Sequence, residues 1–71
     1  MPTDVEAHIT GTVWKIEVSA GQSVAPEDTL VIIESMKMEM PVEAPRAGVV
    51  GEIRAKEGQA VAEGDVLLVL E

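Results

Sequence analysis

GTVWKIEVSAGQSVAPEDTLVIIE, Gly11–Glu34, lies without a gap over GVVGEIRAKEGQAVAEGDVLLVLE, Gly48–Glu71, when the chain is shifted by 37 positions. Gly11 falls on Gly48, Val13 on Val50, Ile16 on Ile53, Gly21-Gln22 on Gly58-Gln59, Val24-Ala25 on Val61-Ala62, Asp28 on Asp65 and Glu34 on Glu71. Most positions that differ keep their character, as where Leu30-Val31-Ile32-Ile33 meets Leu67-Leu68-Val69-Leu70. Two copies are too few for a solenoid. The simpler reading is one domain over residues 1–71, built of two halves about a pseudo-twofold axis and sharing one core.

Each half reads as short strands separated by turns. Val5–Ile9 alternates apolar and polar residues, the period of a half-buried strand. Thr12–Val18 is rich in β-branched residues. Thr29–Ile33 is a short apolar run preceded by Pro26-Glu27-Asp28, where Pro26 suits the second position of a type I turn. Val49–Ala55 and Val66–Leu70 repeat the pattern. Short strands at near-regular spacing predict an all-β sandwich or barrel. Val13 and Ile16 are three residues apart, as are Val50 and Ile53, whereas residues on one strand face stand two or four apart. A β-bulge near Trp14-Lys15 and another near Gly51-Glu52 would put each pair on one face. The alternative is that the two residues of each pair face opposite sides.

Composition narrows the function. The chain has 71 residues, no cysteine, one histidine and a net charge of −8. It therefore has no disulfide framework, thiolate metal site or His-rich zinc site. The acidic balance argues against nucleic acid and anionic membranes as partners. It reads as solubility, with steering toward a basic partner surface as the second reading. No stretch resembles a secretory or mitochondrial leader, and none approaches a membrane span, which suits a cytoplasmic protein. Ser19, Ser23 and Ser35 have no histidine near them in sequence, and His8 reads as an edge or surface residue, so no catalytic constellation emerges.

Between the two repeats lies Glu34-Ser35-Met36-Lys37-Met38-Glu39-Met40. Met, Lys and Glu are good helix formers. Pro41 would stop a helix at once, however, and the segment is the crossing between two equivalent halves. A tight hairpin turn centred near Met36-Lys37, within an attachment hairpin 35–40, fits better. A lysine on a turn is ordinarily a solvated charge. Here apolar Met36 and Met38 flank it where polar residues are expected, and methionine is common on recognition surfaces.

Met36-Lys37-Met38 at the midpoint of such a repeat resembles the attachment site of the biotinyl/lipoyl domain family, biotinyl branch, over about Val5–Glu71. The lipoyl branch typically places Asp before the lysine and Ala after it, and neither is present. Ser35 stands where many biotinyl domains have Ala. The resemblance implies a flattened β-barrel, or barrel-sandwich hybrid, of two four-stranded antiparallel sheets with pseudo-twofold symmetry. It also implies covalent biotin on Lys37, with Met36 and Met38 as the flanks a biotin protein ligase recognises. The implied function is a non-catalytic carboxyl carrier that takes carboxybiotin from a biotin carboxylase to a carboxyltransferase, as in acetyl-CoA and other acyl-CoA or pyruvate carboxylases. A lipoyl carrier of a 2-oxoacid dehydrogenase complex and an unmodified scaffold domain are the alternatives. The gapless alignment of the halves leaves no room for the protruding thumb of the bacterial acetyl-CoA carboxylase carrier. The chain is expected either to act untethered or to be a piece of a larger carboxylase. The symmetry further predicts Lys37 near the twofold axis at one end of the barrel, Glu71 at the other end, and Met1 directed away from the lysine turn.

Overall fold

A computed structural model describes residues 2–71; the expectation for Met1 lies outside the described residues. Among the described residues eight strands form: β1 (Thr3–Glu6), β2 (Gly11–Ile16), β3 (Ser23–Val24), β4 (Thr29–Ser35), β5 (Met38–Glu43), β6 (Gly48–Ile53), β7 (Ala60–Val61) and β8 (Val66–Leu70). They make two four-stranded antiparallel sheets, in the orders β1-β8-β6-β3 and β5-β4-β2-β7. The sheets face each other as a flattened β-barrel. Among the described residues there is no helix.

A shift of 37 residues carries β2 onto β6, β3 onto β7, β4 onto β8 and β1 onto the last part of β5, so it carries one sheet order onto the other. The turns follow the same rule. The Gly21 amide donates to the Val50 carbonyl, and the Gly58 amide to the Val13 carbonyl, both at 2.7 Å. Ala44 donates to Asp28 as Ala7 does to Asp65, both at 2.8 Å. The connections β2–β3 and β6–β7 span 17–22 and 54–59, equal in length, with no inserted thumb.

The core is built of matched aliphatic pairs: Val5 with Val42, Val13 with Val50, Val24 with Val61, Leu30 with Leu67 and Ile33 with Leu70, all buried. Both expected bulges form. In β2 the register passes from Val13↔Ile33 to Lys15↔Ile32, and in β6 from Val50↔Leu70 to Ile53↔Leu68. Ile16 and Ile53 thereby turn back toward the core, yet they remain half-buried at its margin. Gly11 is fixed by close approach. A Cβ there would lie 2.5 Å from the Glu34 carbonyl oxygen, so only glycine lets β2 pass beside the end of β4.

The axis requires one correction. The symmetry exchanges the β4–β5 hairpin with the β8–β1 pair, which no turn joins because β1 is the first strand in chain order and β8 the last. Beside the hairpin Thr12 pairs with Glu34; further along the chain, Val50 donates to the Gln22 carbonyl, and next to Val50, Val49 pairs with Glu71. The segment from β2 to Gln22 thus runs from the hairpin to Glu71, the whole length of the barrel. The axis crosses the middle of the barrel, and Lys37 stands far from it. A point near the axis would map close to itself, and the hairpin maps to the opposite end.

Candidate functional site

The β4 and β5 strands pair from Thr29↔Glu43 to Ser35↔Met38, leaving only Met36 and Lys37 as the loop. Both have positive φ, 51° and 66°. Positive φ at both central residues is the mark of a type I′ turn, whose twist matches the flanking strands and which normally uses Asn-Gly. Side chains with a Cβ resist this conformation at a cost of about 1–2 kcal/mol per residue. Glu34 and Glu39 face each other across the strands just behind the turn, a like-charge pair that adds to the cost. The Met-Lys tip therefore works against the local preferences of the backbone, and the long β4–β5 ladder holds it in place.

Met36 is 92% exposed and Met38 63%, whereas Met40 is half-buried opposite Ile33. The core thus explains Met40 and leaves Met36 and Met38 unexplained. The Lys37 side chain lies in solvent, and among the described residues its amine has no ion-pair or hydrogen-bond partner. An unpartnered amine at a solvent-facing tip meets what an acylating enzyme requires. Ser35, read from the sequence as a small residue in an alanine position, does more than fill space. Its hydroxyl donates to the Thr10 carbonyl at 2.9 Å, tying the base of the hairpin to the β1–β2 loop. Nothing in the sequence pattern signalled that contact.

The turn geometry makes a separable prediction. Met36→Asn should raise stability by about 0.5–1 kcal/mol, a part of the strain at a left-handed position, because Asn tolerates that conformation better. Thermal unfolding measures the gain. An unchanged or lowered melting temperature would contradict the strained-turn reading.

The family described as "Biotin-requiring enzyme" (Biotin_lipoyl) matches residues 1–70. The chain belongs to this family. It is 48% identical over 42 residues to the biotinylated protein TB7.3 homolog of Mycobacterium leprae, a match covering 59% of each protein. Among solved structures it is similar to the Kluyveromyces lactis urea carboxylase, with a TM-score of 0.94, 35% identity, all of this chain and 6% of that one covered. It is also similar to a single-chain, multi-domain long-chain acyl-CoA carboxylase, with a TM-score of 0.91, 32% identity, 96% of this chain and 7% of that one covered. The matched segment is thus a small part of each carboxylase and less than two thirds of the mycobacterial relative. The family and these relatives support covalently bound biotin as the cofactor, and an exposed amine on a hairpin fits that group. No helix among the described residues is long and apolar enough to cross a membrane.

Proposed function

We propose that this chain is a single biotinyl domain acting as a biotin carboxyl carrier, with Lys37 as the attachment residue. The observation that carries the proposal is the unpartnered Lys37 amine at the tip of a strained two-residue turn, in a chain of the biotin-requiring family. A biotin protein ligase acts on the tip. The deprotonated Lys37 amine attacks the acyl carbon of biotinyl-adenylate, the amide bond forms, the acyl–phosphate bond breaks and AMP leaves. The surplus amine proton passes to solvent. Met36 and Met38 are the flanks the ligase reads, since the fold itself gives them no role.

The domain is a carrier and not a catalyst, working in the cytoplasm between a biotin carboxylase and the carboxyltransferase of a biotin-dependent carboxylase. When bound, biotin supplies a ureido nitrogen on which CO2 is carried between the two. The protein's part is positioning. The barrel holds the hairpin rigidly, the turn holds the lysine in solvent, and residues at the far end are available to a partner or tether. A tether would raise the effective concentration of the arm at each active site.

Intact mass after expression with a biotin ligase and excess biotin tests the proposal. One biotinyl group per chain, mapped by peptide analysis to Lys37, is expected; modification chiefly on Lys15 or Lys56 would overturn it. The flanks make a second prediction. Exchanging Met36 for Asp and Met38 for Ala should slow biotinylation and favour lipoylation, because it removes the apolar frame and installs the lipoyl-type neighbours. Unchanged rates of both modifications would place recognition elsewhere on the domain.

A further inference from the structure

The outer face of the sheet that carries Lys37 presents a residue the fold does not need. At the β2 bulge, Trp14 and Lys15 together stand opposite Ile32, so both leave the core side of the strand. Trp14, the chain's only aromatic residue, is 49% exposed. Its twofold counterpart is Gly51, where a Cβ would lie 2.6 Å from the Glu71 carboxylate. The same bulge therefore forms in β6 with no side chain at that position. In the next strands Ile32 pairs with Pro41, replacing Val69 and Asp4 of the other sheet. Trp14, half-buried Ile32 and exposed Pro41 make an apolar patch on the lysine sheet only.

The patch lies within reach of the lysine. Ile32 is about 10 Å along the strand from Ser35 at the base of the turn, and the Lys37 tip adds roughly 3 Å. From the lysine Cα to the ring, the side chain and the valeryl chain make about eleven bonds, one of them the amide, an extended reach of roughly 14 Å. Building on Lys37 as the biotinylated residue, we propose that the Trp14 face is a resting site for the tethered bicyclic ring of biotin. The sulfur-bearing side of the ring lies on the indole, a favourable sulfur–aromatic contact, with Ile32 and Pro41 beside it. Lys15 supplies a donor for the ureido carbonyl. A weak contact suffices, because a short tether holds the ring at an effective concentration in the millimolar range. Charge selects this occupant over a second copy of the chain. Two chains of net charge −8 repel, and Glu34 and Glu39 lie on the same face, whereas the ring is neutral.

The sole tryptophan reports on its own site. The chain is prepared unmodified, biotinylated and acetylated on Lys37, with modification verified by intact mass, and acrylamide quenching of Trp14 fluorescence is measured for each. Biotinylation should lower quenching and move emission to shorter wavelength. Acetylation, which removes the same charge without the ring, should leave both as in the unmodified chain, as should Lys37→Arg treated with ligase. Nuclear Overhauser contacts between ring protons and the indole provide a second measurement. A chain that carries biotin by mass but leaves Trp14 equally accessible overturns the resting site while the attachment reading stands. A chain that never gains the biotinyl mass fails at the attachment step instead. Protection that grows with protein concentration, or that appears equally on acetylation, also overturns the proposal, the first by pointing to a second copy and the second to a change in the hairpin.

Discussion

Lys37→Arg should abolish biotinylation completely and leave stability within about 0.5 kcal/mol of the unaltered chain, as for surface substitutions away from special features. Arginine keeps the charge, the length and the positive-φ position, so any partner that reads only charge is unaffected. It cannot be acylated in place of the lysine, because the guanidinium stays protonated. The contrast between total chemical loss and structural neutrality is diagnostic. It is read by streptavidin blotting or intact mass on one side and by thermal unfolding on the other. Retained biotin would move the attachment residue to Lys15 or Lys56. A large fall in melting temperature would show that the tip supports the fold in a way its exposure does not suggest.

Leu67→Ala should destabilise the chain by about 2–5 kcal/mol, the usual cost of removing a buried leucine side chain and leaving a cavity. Leu67 is 0% exposed, and so is its counterpart Leu30. A chain of 71 residues has roughly 4–11 kcal/mol in total, at 0.05–0.15 kcal/mol per residue, so either change removes a large share of it. Two comparisons sharpen the test. Leu30→Ala and Leu67→Ala should cost similar amounts, because symmetry gives them equivalent surroundings. Ile16→Ala and Ile53→Ala should cost less, because both residues are only half-buried. Urea unfolding gives all four values. Because the halves share one core, Leu67→Ala should also depress biotinylation of Lys37 in partly denaturing conditions, although it lies in the other repeat. A Leu67 variant as stable as the parent would contradict the shared core.

Much of this fold was legible because the residues that build it act twice. The Val13/Val50, Val24/Val61 and Leu30/Leu67 pairs were visible as a repeat, and their burial followed. The bulges were legible as a spacing of three where a strand requires two or four. What escaped had no periodicity to show it. β3 and β7 are two residues long, too short to alternate. The continuation of β5 past Met40 was obscured by Pro41, which belongs in an edge strand because no neighbour needs its missing amide. Val5–Ile9 keeps its inward alternation at Val5 and Ala7, but strand pairing stops at Glu6, where the register with β8 shifts. The lysine hairpin was found from Met36-Lys37-Met38 and Pro41 together. The positive φ of both loop residues was not, since Met-Lys gives no local signal for a type I′ turn. The Ser35–Thr10 contact joins residues 25 apart and could come only from the assembled barrel.

The barrel measures 32 × 17 × 17 Å. A strand of seven residues such as β4 spans about 23 Å and fits only the long dimension, so the turn is at a narrow end. The molecule is therefore shaped like a plug, with its reactive prong on a face about as wide as the barrel is thick. A receiving cleft can close around that face and seal out bulk water without touching most of the barrel wall. Whatever grips the opposite end stays nearly a barrel length from the lysine tip and leaves the space around it open.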